Sequence, residues 1–206
     1  MSSVEGARSE RSDGIRAGST ASDTHGVCLW LTGRSGAGKS TLTAALLPML
    51  EQVGRTVTLL DVVPELRKLR CESTSRGKLI RKAFVAREVV RHGGVAICVT
   101  VSSNREVREE ARNMVGAESF IEIFVDAPLD VSERRRNTRP SRPTLAKRVA
   151  RRLKRLRRAL GRRAGGLEAP TAPDLTIDTT ATSPEQGARE IFDLLVERGI
   201  VRRRPG

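Results

Sequence analysis

The chain has 206 residues, enough for one domain with a buried core plus tails. It carries 38 Lys and Arg against 24 Asp and Glu, a formal charge of +14 in which arginine predominates, so its partners are expected to be anionic: nucleotides, nucleic acid or a membrane surface. No apolar run approaches the about 18 residues that a membrane helix needs, the N-terminus has no apolar signal region, and three scattered cysteines imply no disulfide framework, so a reducing cytoplasm is expected.

In chain order, residues 1–25 are rich in Ser, Gly and Arg with no apolar pattern and read as a disordered arm. "VCLWLTG" (27–33) is a nearly continuous apolar run, as in a strand buried on both faces. Residues 39–54 follow with Leu42, Leu46, Met49, Leu50 and Val53 at helical spacing, Pro48 as a point of kinking, and Gly54 as the stop. "TVTLLD" (56–61) is a second buried strand, and 76–94 a helix stopped by two glycines. His92, near the end of that helix, reads as a cap rather than a ligand. "VAICVTV" (95–101), "FIEIFVD" (120–126) and "DLTIDTT" (174–180) are strands; 104–116, a segment from Pro128 to 136, and 183–199 are helices. Cys28 and Cys98 lie inside apolar runs and read as small core residues. Strands alternating with helices predict an α/β domain over 26–200: a five-stranded parallel sheet sandwiched between helices, followed by a basic tail, 201–206.

"GRSGAGKS" (33–40) stands between the first strand and the first helix, the context a phosphate-binding P-loop requires. The backbone of Gly33, Arg34, Ser35, Gly36, Ala37 and Gly38 can point successive N–H groups into one concavity because the glycines remove Cβ clashes. The helix start adds a positive dipole end. Lys39 is expected to reach the β- and γ-phosphates, Ser40 to ligate Mg²⁺, and Thr41 to donate to the α-phosphate. The guanine-reading N-K-x-D and the D-x-x-G of GTPases do not occur, and the third strand has none of the acids a motor ATPase carries there. The first acid at a strand end is Asp61. C-terminal strand ends line the ligand crevice of a parallel sheet, so Asp61 is expected to face the γ-phosphate and act on an acceptor hydroxyl, unless it only caps the next turn.

Several motifs in order make the chain resemble the adenylylsulfate kinase family, P-loop kinases that phosphorylate the 3′-hydroxyl of adenosine 5′-phosphosulfate: "GVCLWLTGRSGAGKSTL", "LLD" at 59–61, "LIRK" at 79–82, "VSSNREVR" at 101–108, "FIEIFVDAPLDVSERR" at 120–135 and "EAPTAPDLTIDT" at 168–179. The resemblance implies ATP as donor and an acceptor site that would use Arg76, Arg81, Ser102 and Arg105, with Arg67 sliding into the role of the family's acceptor-binding arginine. The departures fall on that acceptor side. Val62 and Val63 replace the family's Gly-Asp, Cys71 stands where an aromatic stacks on the acceptor's adenine, and Leu79 replaces an asparagine. The family's lid motif is unrecognisable. The readings are therefore an adenylylsulfate kinase with a rebuilt pocket, a kinase of another hydroxyl metabolite, or a catalytically weak relic.

The segment 141–165 is strongly basic, with Leu145, Val149, Leu153, Leu156 and Leu160 on one helical face, and it lies where small P-loop kinases insert a lid. A solvated helix docked on the core, a phosphate-clamping lid, a nucleic-acid contact and a membrane-surface helix all fit this pattern. The nucleic-acid reading, which would make the chain an RNA-hydroxyl kinase or a nucleic-acid-binding protein, is not favoured because no aromatic residue interrupts the arginines. The expected partners are ATP, an anionic or hydroxylated small-molecule acceptor and a second copy of the chain in a homodimer, with no membrane. Mg²⁺ is the metal expected, since Glu109, Glu110 and Glu122 lack metal-ligand spacing.

Overall fold

A computed structural model of the chain describes residues 25–61, 75–101, 104–138 and 167–202. Five parallel strands, β1 (Val27–Thr32), β2 (Val57–Leu60), β3 (Val95–Val99), β4 (Phe120–Asp126) and β5 (Leu175–Asp178), form one sheet in the order β2-β3-β1-β4-β5. The helices are α1 (Lys39–Gln52), α2 (Ser75–Arg91), α3 (Arg105–Val115), α4 (Leu129–Thr138) and α5 (Pro184–Glu197). The expected parallel α/β sandwich is present. No helix among the described residues is long and apolar enough to cross a membrane.

The continuous apolar run of β1 resolves into two faces. Val27, Leu29 and Leu31 join Ile97 and Ile123 in a layer that packs on α1 through Leu42, Leu46 and Leu50, and on α5 through Ala188, Ile191 and Leu195. Cys28 and Trp30 face the other way, with Phe120 and Cys98, against α2 and α3. Every residue of β1 is buried because both faces are covered. Cys28 and Cys98 are core residues as expected, their sulfurs 3.9 Å apart. Burial, then the neighbouring Cys98 thiol, pushes the Cys28 thiol well above the usual cysteine value, which keeps it unreactive.

Two expectations need correction. β2 is not a strand buried on both faces: it is the sheet edge, and Leu59 is 42% exposed. The basic tail does not begin at 201, because Val201 is buried with Ile200 in the α1–α5 layer. The helix 39–54 runs through Pro48, whose position is exposed, and Gly54 ends it at φ 76°. Of the arm, His25 is tied down: its carbonyl accepts from Arg55 at 2.7 Å. The rest of the arm, residues 203–206 and the basic segment 141–165 lie outside the described residues.

The α3 face of the sheet contains a buried charge. Glu122 opposes Trp30 in the β1–β4 register, and Arg108, 4% exposed, stands 2.7 Å from it. Burial pushes the Glu122 carboxyl up, and Arg108 and Arg112 oppose that without cancelling it. Arg108 also donates to the Glu168 carbonyl at 2.8 Å, while the Glu168 carboxylate accepts the Arg105 backbone N–H at 2.8 Å and caps α3 from outside the helix. Asp174, before β5, accepts from the Glu122 N–H, Arg112 and Arg198, joining β4, α3 and α5. Burial alone would raise the Asp174 carboxyl, but these donors outweigh it and hold the group below the ordinary aspartate value.

A depressed folded pKa contributes stability that is present above the unfolded value, about 3.9 for aspartate, and is lost as pH falls through the folded one. Asp174→Asn is therefore expected to lower the urea midpoint at pH 7, with the gap from wild type closing as pH falls below 4. Urea titrations across that range check it; a gap that stays constant with pH would show that Asp174 contributes shape and not charge.

Candidate active site

The chain leaves β1 at Thr32 and enters α1 at Lys39, and the turn between them has to be tight. Gly36 takes φ 95°, and a Cβ there would collide with the Ser132 carbonyl of α4. Ala37 N–H donates to Arg34 O at 3.1 Å, and the first turn of α1 closes on the Gly38 carbonyl through Thr41 and Leu42. Gly38, the N-cap, has no capping side chain, and the first turn holds no acid, so the positive end of the helix is left for an external anion.

Lys39 is buried, with its ammonium folded back to donate to the carbonyls of Gly33 and Arg34, each at 2.8 Å. The loop is thereby closed around a fixed positive charge. Ser40 Oγ, the atom the motif assigns to Mg²⁺, donates to Asp61 Oδ2 at 3.1 Å. The sheet is what brings them together: Leu60 pairs with Cys98, so Asp61 ends β2 on the same edge as the loop after β1. Two hard oxygen donors at this separation, beside the lysine, fit the ligand chemistry of Mg²⁺. Among the described residues no cluster of three or more His, Cys, Asp and Glu could hold another metal.

Beside Asp61 is a cation that the sequence reading did not select. Lys82, one residue past Arg81, donates to the Val99 carbonyl at 2.6 Å, at the end of the strand adjoining β2. Burial lowers its pKa, and the neighbouring Cys98 sulfur and Asp61 carboxylate push back. Arg76 pairs with Glu110 at 2.7 Å on the surface, and Arg105 pairs with Glu109 at 2.7 Å. Arg81 is half-buried on α2, while Leu79 is core, packed in the α2–α3 layer. Ser102, Arg67, Val62, Val63 and Cys71 lie outside the described residues.

On the other side of the loop a cleft of about 210 Å³ opens, lined by Thr41, Leu42, Arg135, Ile177, Thr179 and Pro184 among others. The sequence reading assigned Gly38 and Thr41 to nucleotide binding but not Arg135 or Thr179. The available signal was positional: Thr179 follows the last strand, at the sheet edge that carries the loop.

Because Lys39 supplies a fixed side-chain charge inside the loop, Lys39→Ala is expected to reduce turnover by orders of magnitude and weaken ATP, while the fold survives. Near-normal turnover in the variant would remove the loop from the chemistry.

The chain matches the family model described as adenylylsulphate kinase over residues 25–178. The adenylyl-sulfate kinase of Synechococcus sp. (strain JA-3-3Ab) is 33% identical over 177 residues, 84% of this chain and 93% of that protein. The adenylyl-sulfate kinase of Paraburkholderia xenovorans (strain LB400) is 34% identical over 189 residues, 87% of this chain and 98% of that protein. The solved structure of the Mycobacterium tuberculosis APS kinase in complex with AMPPNP and APS has a TM-score of 0.65 at 25% identity, covering 84% of this chain and 98% of that one. On these matches the chain belongs to the adenylylsulphate kinase family and is an ATP-dependent phosphotransferase with an alcohol group as acceptor.

Proposed function

We propose that the chain transfers the γ-phosphoryl group of ATP to the hydroxyl of a small molecule, with adenosine 5′-phosphosulfate as the leading acceptor. The observation that carries this reading is the placement of Asp61 3.1 Å from Ser40, at the mouth of a loop whose lysine is already fixed. Lys39 holds oxygens of the β- and γ-phosphates, and the uncapped start of α1 at Gly38 faces the rest. The carbonyls of Gly33 and Arg34 orient the ammonium before the substrate arrives, so little reorganisation accompanies the transfer. Mg²⁺ held by Ser40 Oγ, and through its water shell by Asp61, would neutralise charge on the phosphates.

Asp61 orients the acceptor hydroxyl and takes its proton. The hydroxyl oxygen then bonds to the γ-phosphorus as the bond from phosphorus to the β–γ bridging oxygen breaks, and ADP leaves. The cleft beside Gly38 is the place for the base, whose flat face would lie against the Arg135 guanidinium.

A second acceptor class is favoured by two observations on α2 and α3. Arg76 and Arg105, the cations expected to hold an anionic acceptor, each have a glutamate 2.7 Å away, and Leu79 offers no hydrogen bond. A hydroxyl metabolite with less negative charge than a phosphosulfate suits that surface. No observation among the described residues favours nucleic acid.

ATP consumption against a panel of hydroxyl metabolites that includes adenosine 5′-phosphosulfate decides between the two acceptors; ATP binding without turnover on any member would overturn the kinase reading. Asp61→Asn keeps the size of the side chain and one acceptor oxygen. It is expected to lower turnover at least about a hundredfold, within the 10²–10⁴ typical of general-base assistance, and to leave ATP affinity within severalfold. An unchanged rate would make Asp61 a turn cap and place the chemistry elsewhere.

A further inference from the structure

Arg135 sits on an exposed part of α4, where a guanidinium ordinarily samples many rotamers. Here it does not. Its Nη1 donates to Thr179 Oγ1 and its Nη2 to the Thr179 carbonyl, both at 2.9 Å, so both arms of the fork close on one residue. Thr179 is itself fixed at the sheet edge, its N–H donating to the Asp126 carbonyl at 3.1 Å. Its hydroxyl also faces the phosphate loop and donates to the Ala37 carbonyl at 2.8 Å. A threonine hydroxyl has one proton and two lone pairs, so it can donate to Ala37, the nearer of two carbonyls with Asp126 at 3.2 Å, while accepting from Arg135. Its methyl carbon completes the contact, 3.5 Å from where a Cβ on Gly38 would stand.

Resting on the donor site proposed above, we infer that Thr179 is a positioning residue for ATP: its hydroxyl ties the Arg135 wall of the base cleft to the phosphate loop, so that base and phosphates meet one rigid surface. The ordering of an exposed arginine is met in the free protein and is not charged against binding. A second effect follows from the same hydroxyl. Movement of the Ala37 carbonyl, which belongs to the peptide joining Ala37 to Gly38, is communicated through Thr179 to Arg135.

Calorimetry on the full chain with ATP, and with inorganic tripolyphosphate as a ligand that has phosphates and no base, tests this. Thr179→Val is expected to weaken ATP about tenfold, the scale of one hydrogen bond to a charged group, and Thr179→Ser to restore wild-type affinity. Arg135→Lys keeps the cation, cannot close both bonds, and is expected to weaken ATP by a similar factor while changing tripolyphosphate less than about twofold. Because both substitutions break the same clasp, the double variant is expected to bind ATP within about twofold of either single one, and not with the ~hundredfold loss of independent effects. Wild-type ATP affinity in Thr179→Val, multiplying effects in the double variant, or equal losses of ATP and tripolyphosphate in Arg135→Lys would each overturn the inference. Should Thr179→Val unfold, Arg135→Lys with the two ligands decides alone. A wild type that binds neither ligand overturns the donor site as well, whereas a wild type that binds ATP and is insensitive to both substitutions overturns only the clasp.

Discussion

The site depends on the central position of β1 in a sheet whose strands all run one way. β3 lies on one side of β1 and β4 on the other, so the strand order changes direction there and leaves a crevice at its C-terminal end. The chain has to leave through that opening and turn back into α1 at once. That constraint explains Gly36, which passes under the Ser132 carbonyl with a positive φ. It also explains why Lys39 can reach back to Gly33 and Arg34. Since the sheet is parallel, Asp61 after β2 and Thr179 after β5 arrive on the same edge from opposite sides. Each then bonds to the loop segment or to the first turn of α1.

Magnitudes separate the roles of the arginines. The pair Arg108–Glu122 is buried, and removing one partner of such a pair typically costs about 3–5 kcal/mol because the other charge is stranded. It fixes α3 on the sheet, and with Glu168 it fixes the chain entering β5. Arg76–Glu110 and Arg105–Glu109 are exposed, where solvent screens an ion pair and it adds little to stability. Stability therefore does not require them. What they change is local charge: two cations expected to meet an anionic acceptor are each balanced by an acid from α3. The surplus of +14 over the whole chain is a poor guide to the charge an incoming acceptor meets.

The sheet was legible because its signals are local. β4 has the bounds that its apolar run predicts, 120–126, and the glycine stops after α1 and α2 lie where the chain turns. Asp61 stands out in the sequence because it closes the first strand after the loop helix, and in the structure Ser40 donates to it. Strand order is not written in local periodicity, so the short run of β2 looked the same as a central strand and proved to be the edge. Val201 followed basic composition in the sequence and core packing in the structure. Arg135 and Thr179 are 44 residues apart, and their pairing follows from where α4 passes beside β5, which no spacing rule encodes. Glu122 stands in a run that otherwise reads as strand core. Only the partner on α3 shows why an acid is tolerated there.

The donor and acceptor sides of the site are held by different kinds of contact, and this bears on how they can change. Three residues of the loop and the start of α1 are tied by directional bonds to others: Lys39 to two carbonyls, Ser40 to Asp61, Ala37 to Thr179. A substitution at any of these breaks geometry at several others. α2 is held differently, by Leu79, Ala83 and Ala86 packed on the sheet, and apolar packing accepts exchanges of similar volume at small cost. Leucine at position 79, where the resemblance places an asparagine, removes a polar group from the acceptor side and adds to the core beneath it. The same step at Lys39 or Ser40 would leave carbonyls or a carboxylate without their donor. A scaffold built this way keeps its phosphoryl donor while the residues facing the acceptor change, which is the pattern of likeness and departure that this chain displays.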